Sequence, residues 1–309
     1  MFTKSLDNKR YHTLNYFYRT QFHQKVFKVS LNANFTCPNF QNGQGCIFCL
    51  HGSNDYDVSQ NNDLVKQFYE VVDVLEKKWP NSLYIGYFQA NTNTYAPVSV
   101  LKKKYEAILN LPNVVGLSIA TRSDAISQEC YDYLEELNQK TFLTVELGLQ
   151  SSKEETLQFI KRGHDVANFV SCVKELKRRK IKVVVHIING LPYETKEDMI
   201  RTAKFLNALD IDGIKIHMLH VLKGTDLASF YEKEKFPILT KEEYIDIVCE
   251  QLEYLNENIV IHRITGDPQI NDLIAPTWLI KKFCVLNDID KEMVKRDIYQ
   301  GDKVNKNKK

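Results

Sequence analysis

Three cysteines lie close together near the start of the chain and could bind metal. Cys37, Cys46 and Cys49 form a C-x8-C-x2-C pattern on a segment that contains Gly43 and Gly45. Three thiolates on such a loop can bind three irons of a cubane [4Fe-4S] cluster and leave the fourth iron without a protein ligand. An iron with an open position can bind a further molecule, so the pattern indicates a reactive cluster.

A structural zinc ion is the alternative interpretation of the same cysteines. Such an ion normally has four protein ligands, often from two CxxC-like pairs. The close pair Cys46 and Cys49 suits zinc, and His51 could complete a Cys3His site. The remaining cysteines are isolated from one another, at Cys130, Cys172, Cys249 and Cys284. A colourless, oxygen-stable protein would identify zinc.

The composition of the chain is that of a folded globular protein. Of 309 residues, 43% are hydrophobic and 26% are charged, and the net charge is only +2. This charge argues against a protein that coats nucleic acid by charge alone. Clusters of lysine and arginine still permit an RNA partner, at 102–104, 177–180, 281–282 and 303–309. The start lacks a signal-peptide pattern and no apolar run could span a membrane, so we expect a cytoplasmic protein with no membrane contact.

Apolar runs that are rich in β-branched and aromatic residues alternate with helical patterns. Strands are predicted at 26–31, 83–88, 114–120, 142–149, 183–188 and 213–219. The alternation predicts an α/β fold, a partial (β/α)6 TIM-like barrel with helices outside. A further strand near 259–264 and a helix over 242–255 would follow. We expect an N-terminal extension over 1–25, a core barrel over 26–225 and a C-terminal extension with a basic tail over 226–309.

The predicted barrel places the cysteines where a ligand would bind. In parallel α/β folds the ligand site lies at the C-terminal ends of the strands. The cysteine loop directly follows the first predicted strand. We therefore expect it to form part of an active site.

The cysteine motif and its surroundings resemble a known superfamily. The motif follows Lys28-Val29-Ser30-Leu31, and its long first spacing departs from the common C-x3-C-x2-C. It is similar to the radical S-adenosylmethionine (SAM) superfamily, in the branch that includes the Elongator catalytic subunit and a small bacterial subgroup labelled YhcC/YtqA. The resemblance implies a barrel of radical SAM type, with a [4Fe-4S] cluster and SAM as cofactors. The reduced cluster would cleave SAM to a 5'-deoxyadenosyl radical.

The resemblance also implies which residues contact SAM. Those residues are Phe48, Tyr87, Phe88, Gln89, Glu146, Gln150, Arg162, Asn189 and Gly190. Residues 87–90 occupy the place of a glycine-rich motif but lack its glycines, so only backbone contacts are expected there. Glu146 is a carboxylate in an apolar strand, which is costly to bury unless it is paired. Arg162 could bind the SAM carboxylate with two parallel hydrogen bonds.

Other polar residues at predicted strand ends are candidates for the substrate site. Arg122 and Asp124 belong to a segment similar to the IATRxD segment of the branch, and with Glu146 they are the predicted catalytic residues. They could instead form a structural ion pair with each other. Four histidines recur on the fifth, sixth and seventh predicted strands, namely His186, His217, His220 and His262. A lone strand histidine is more often a satisfied core residue, so their roles stay open.

For the function, the resemblance implies modification of a wobble-uridine side chain in tRNA. An electron donor such as flavodoxin or ferredoxin would be needed, and the oligomeric state is open. The N-terminal stretch 9–19 interleaves cations with aromatic rings, which suits RNA stacking or, equally, a helix that packs on the barrel. The alternatives are a radical SAM enzyme acting on a small metabolite, and a non-enzymatic zinc or iron-sulfur module.

Overall fold

A parallel sheet lies at the centre of the structure. The structure is a computed structural model that describes residues 2–41, 45–50 and 61–305. The strands are β1 (Val26–Leu31), β2 (Leu83–Phe88), β3 (Val114–Thr121), β4 (Phe142–Gln150), β5 (Lys182–Asn189), β6 (Gly213–Met218), β7 (Val221–Leu222), β8 (Val260–Arg263) and β9 (Leu273–Ala275). Seven of them form this sheet in the order β1-β2-β3-β4-β5-β6-β8, while β7 and β9 pair separately as an antiparallel ribbon. The six predicted strands and the further strand are all present.

Helices cover the outside of the sheet. They are α1 (Leu14–Phe22), α2 (Pro38–Gln41), α3 (Leu64–Lys78), α4 (Val98–Leu109), α5 (Gln128–Lys140), α6 (Glu154–Phe159), α7 (Val166–Arg178), α8 (Lys196–Asn207), α9 (Asp226–Glu234), α10 (Lys241–Tyr254), α11 (Lys282–Lys295) and α12 (Asp302–Asn305), with a 3-10 helix at Thr277–Lys281. α8 begins with a capping box of Thr195 and Asp198. α7 buries Phe169, Val173 and Leu176, as its apolar spacing predicts.

The sheet is curled into an open barrel. Lys28 on β1, the first strand of the sheet, lies 3.5 Å from Nδ1 of His262 on β8, the last strand. In a flat sheet six strand spacings would separate these two strands by roughly 29 Å. The predicted partial TIM-like barrel is therefore confirmed.

The aromatic residues of the N-terminal stretch pack on one end of this barrel. The Tyr18 side chain is buried, and its ring lies 6.4 Å from that of Phe142, the first residue of β4. The ring of Phe17 lies 6.2 Å from the same phenylalanine. Since Phe142 starts its strand, α1 covers the end of the barrel away from the cysteines. Of the two interpretations of this stretch, the structure favours helix packing for these side chains.

The sheet continues past the predicted end of the core barrel at residue 225. β8 pairs in parallel with β6, so a strand of the C-terminal part belongs to the same sheet. The predicted domain boundaries themselves stay a prediction. Within the described parts of the chain, no helix is both long enough and apolar enough to cross a membrane.

Candidate active site

A cavity of about 230 Å³ opens at the C-terminal ends of the strands. It is lined by the cysteine loop and the ends of β2, β3 and β4, including Cys37, Cys46, Cys49, Arg122, Gln150 and Arg162. Residues from β6 onward line it as well, including His217, His220, Arg263, Asp267 and Gln269. The three cysteines therefore lie at the expected end of the barrel.

Backbone hydrogen bonds hold the cysteine loop in place. The amide of Ile47 donates to the carbonyl of Ile160 at 3.1 Å, and the amide of Leu227 donates to the carbonyl of Ile47 at 2.8 Å. A turn closes between Cys46 and Cys49, whose amide donates to the Cys46 carbonyl at 3.0 Å. The loop is thus fixed by segments that lie far apart in the sequence.

The sulfur of Cys46 lies in an electropositive surrounding. The hydrogen bond from the Cys49 thiol and the charges of Arg162 and Arg122 lower the pKa of Cys46 despite its burial, and the same hydrogen bond together with burial raises the pKa of Cys49. Nδ2 of Asn39 lies 3.5 Å from this sulfur and Nη1 of Arg162 lies 3.7 Å from it. A thiolate is the form of cysteine that binds metal, and the charges of the two arginines favour that form at Cys46.

The arrangement of donors is compatible with an iron-sulfur cluster. The three cysteines line one cavity, yet among the described residues no three His, Cys, Asp or Glu side chains converge as ligands of a single ion. In a cubane cluster each cysteine binds a different iron, so the sulfurs need not converge on one point. His51, the fourth ligand of the zinc interpretation, lies outside the described residues.

The two predicted arginines make different contacts. Nε and Nη2 of Arg162 donate to the carbonyl of Gly148 at 3.1 and 2.6 Å, so the fork predicted to bind the SAM carboxylate faces the backbone of β4. Arg122 forms the alternative ion pair, with Nε and Nη2 2.9 and 2.8 Å from the two carboxylate oxygens of Asp124. Nη1 of Arg122 is buried and has no hydrogen-bond partner within the described parts of the chain. That nitrogen is free to bind a ligand.

Glu146 lies at the base of the cavity with its carboxylate fully paired. Oε1 accepts from Lys28 Nζ at 2.5 Å and from Ser118 Oγ at 2.6 Å. Oε2 lies 2.7 Å from His186 Nε2 and 2.5 Å from Lys215 Nζ. A carboxylate accepts about four hydrogen bonds, so contact with SAM would require one of these donors to leave. Burial opposes ionisation, but Lys215 and Lys28 hold the pKa of Glu146 well below its usual range.

Burial also lowers the pKa of two basic partners of Glu146, Lys215 and His186. The pKa of Lys215 falls to about 7 and that of His186 to about 4. Lys215 also donates to the hydroxyl of Tyr87 at 2.9 Å. Sequence reasoning missed both lysines, although the criterion that singled out Glu146, a charge within an apolar strand, applies equally to Lys28 and Lys215.

The four histidines do not share one location. His186, His217 and His220 line the cavity, and the rings of the first two lie 5.6 Å apart. His262 instead lines a smaller cavity of about 150 Å³ that also includes Tyr18 and Phe142. Three of the four predicted candidates therefore reach the site.

The remaining predicted SAM contacts fall into two groups. Phe48, Tyr87, Gln89 and Gln150 line the cavity. Phe88 packs instead against the ring of Tyr105 at 4.8 Å, and the amide of Asn189 is bound to Gln251 on α10 at 2.8 and 2.9 Å. The amide of Gly190 donates to Met199. Phe88, Asn189 and Gly190 are thus absent from the described lining, and their contacts with SAM stay predictions.

Comparison with protein families and relatives agrees with this geometry. Residues 37–206 match the family model of the radical SAM superfamily, and residues 211–295 match the model of the Radical_SAM C-terminal domain. Uncharacterized protein YtqA of Bacillus subtilis is 47% identical over 305 residues, which cover 97% of this chain and 94% of YtqA. A tRNA uridine(34) acetyltransferase of Methanocaldococcus infernus is 32% identical over 159 residues, half of this chain and 29% of that protein.

The fold has a solved counterpart. The structure of the archaeal Methanocaldococcus infernus Elp3 with an N-terminal deletion superposes with a TM-score of 0.68 and 20% sequence identity, over 89% of this chain and 64% of that one. The predicted branch of the superfamily is confirmed by these matches. The chain belongs to the radical SAM superfamily, whose enzymes use a [4Fe-4S] cluster and S-adenosylmethionine.

Proposed function

We propose that Cys37, Cys46 and Cys49 bind the [4Fe-4S] cluster and that SAM binds beside them in the same cavity. The observation that carries this assignment is that all three cysteines of the motif line one cavity at the C-terminal ends of the strands. A cluster held by these cysteines would supply the electron that cleaves SAM into methionine and a 5'-deoxyadenosyl radical. The cavity walls shield such a radical from water and from stray C–H bonds.

The residues that line the cavity beside the cysteines are the proposed SAM contacts. Phe48, Tyr87, Gln89 and Gln150 lie there. Nη1 of Arg122 is a buried cationic donor that has no hydrogen-bond partner among the described residues. Such a donor suits the carboxylate of SAM. Arg122 therefore takes the role that the sequence assigned to Arg162.

The proposed substrate is the side chain of a wobble uridine in tRNA. Support comes from the similarity of half of this chain to a tRNA uridine(34) acetyltransferase. The lining of the cavity also includes polar groups, among them His217, His220 and Gln269, that can bind the edge of a base that has left its stack. A cytoplasmic flavodoxin or ferredoxin would deliver the electron.

The cofactor assignment is tested by anaerobic reconstitution with iron and sulfide. We expect a brown protein with about four irons per chain that releases 5'-deoxyadenosine from SAM when dithionite is added. A colourless protein that binds one zinc and yields no 5'-deoxyadenosine would overturn the assignment.

The substrate assignment is tested in cells. Mass spectrometry of tRNA nucleosides should show that a deletion strain lacks one modified wobble uridine and accumulates its precursor. Wild-type protein should restore the nucleoside, and the Cys46→Ala variant should not. An unchanged nucleoside profile in the deletion strain, together with SAM cleavage by the purified wild-type protein, would instead support a small metabolite as substrate.

A further inference from the structure

Cys46 is distinguished from the two cysteines beside it. Its side chain is buried, whereas Cys37 and Cys49 are partly exposed. Its sulfur also faces the side-chain nitrogens of Asn39 at 3.5 Å and Arg162 at 3.7 Å. Sulfur accepts hydrogen bonds at such distances, so Cys46 receives two N–H donors from the protein.

Both donors are held in place by contacts with the protein itself. Nδ2 of Asn39 also donates to the carbonyl of Lys161 at 2.8 Å. A Cβ atom at Gly163 would lie only 2.6 Å from Oδ1 of Asn39, so the glycine lets its loop approach Asn39 on α2 this closely. Arg162 is fixed by its bonds to Gly148. The two donors are therefore oriented toward the sulfur before any cofactor binds.

Hydrogen bonds to a ligating sulfur change the reduction potential of an iron-sulfur cluster. A donor withdraws electron density from the thiolate and so favours the reduced cluster, which carries one more negative charge. The positive charge of Arg162 acts in the same direction, within a buried site where charges are weakly screened.

We propose that Asn39 and Arg162 are positioning residues that raise the reduction potential of the cluster through the sulfur of Cys46. The inference rests on the proposed function, because it requires Cys46 to bind the cluster. It assigns to Asn39, which the sequence did not single out, a role in making the cluster reducible by a cellular electron donor.

The test is an anaerobic redox titration of the reconstituted holoenzyme, monitored by EPR. The Asn39→Ala variant should retain its iron but require a more negative potential. We expect a shift equivalent to a tenfold change in the one-electron equilibrium constant, about 59 mV. Gln41→Ala is the matched control, because Gln41 lies on the same helix and its amide is bound to Thr36 at 3.0 Å. Its potential should equal that of the wild type.

A second measurement uses the wild-type protein, in case the variant fails to load iron. Pulsed EPR of the reduced cluster in protein labelled with 15N-arginine should detect a nitrogen coupling from Arg162. An unchanged potential in fully loaded Asn39→Ala would overturn the inference, as would the absence of this coupling. Both results leave the proposed function standing if the wild type still cleaves SAM. A wild-type protein that assembles no cluster would remove the proposed function and this inference together.

Discussion

Two groups of polar residues share the barrel, and they differ in how completely they are paired. The rim group consists of Cys37, Cys46 and Cys49 with Arg122 and Arg162. The buried cluster consists of Glu146 with Lys28, Ser118, His186 and Lys215. At the rim, three sulfurs face the cavity and one Arg122 nitrogen has no partner within the described parts of the chain. In the buried cluster every carboxylate lone pair is used.

The difference shows that buried charge alone is a poor indicator of ligand contact. Glu146 is the most deeply buried of the predicted site residues that carry charge, and its partners already satisfy it. The rim group keeps unused donors and acceptors, which is what a bound cofactor requires. We therefore expect substitutions in the rim group to remove chemistry and substitutions in the buried cluster to remove stability.

The largest effect is expected for Cys46→Ala in the rim group. The variant should bind less iron and release no detectable 5'-deoxyadenosine, because an iron loses its thiolate ligand. The unfolding free energy of the cluster-free protein should change by only about 1 kcal/mol. Cys284→Ala, which alters an exposed cysteine, is the control and should behave as wild type in both assays. A large loss of stability in Cys46→Ala would erase the contrast between the two groups.

In the buried cluster, Glu146→Gln should reduce stability by about 3–5 kcal/mol. The substitution leaves Lys28 and Lys215, whose side chains are 13% and 9% exposed, without their counter-charge. Urea denaturation of the cluster-free protein measures the change. The double variant Glu146→Gln/Lys215→Met should lose less than the sum of the two single variants, since the lysine no longer lacks a partner. Additive losses would contradict the pairing.

The same cluster predicts a dependence of stability on pH. Burial lowers the pKa of His186 from 6.5 to about 4 in the folded protein. Between these values the unfolded chain binds more protons than the folded one, so acidification favours unfolding. The unfolding free energy should fall by on the order of 2 kcal/mol from pH 6.5 to 4 through this residue. In the His186→Gln variant this part of the loss should disappear. The prediction is refuted if the unfolding free energies of the variant and the wild type fall in parallel as the pH is lowered.

The smallest effect is expected where Gly163 lies against Asn39 and Arg122. Gly163 has φ +81° and Gly224 has φ +80°, so alanine costs about 1 kcal/mol of backbone strain at either position. Only a Cβ at Gly163 would approach Arg122 Nη2, at 2.9 Å. Gly163→Ala should therefore lower the iron content after reconstitution, and Gly224→Ala should not. Equal iron contents would show that this close contact is unimportant for the rim group.

Much of the fold, and the position of the cysteine loop at the C-terminal ends of the strands, could be predicted because their signals are local. The strands appear as apolar runs, and the cysteines lie within one loop. The partners of Glu146 could not be predicted in this way, because Lys28 lies 118 positions away and meets it only across the curled sheet. The partner of Asn189 could not be predicted for the same reason. The Asn189 amide is bound to a glutamine 62 positions later, on a helix whose packing the sequence does not specify.

The contact between β8, the last strand of the seven-stranded sheet, and the N-terminal segment affects how the protein behaves in solution. The amide of Ile261 on β8 donates to the carbonyl of His12 at 2.8 Å, and Gln300 ties the same His12 to the carbonyl of Ile259. Residues near both ends of the chain thus occupy the outer edge of β8. An uncovered strand edge can pair with another chain. Removing the first 13 residues should therefore cause self-association and precipitation, even though those residues lie at the far end of the barrel from the cysteines.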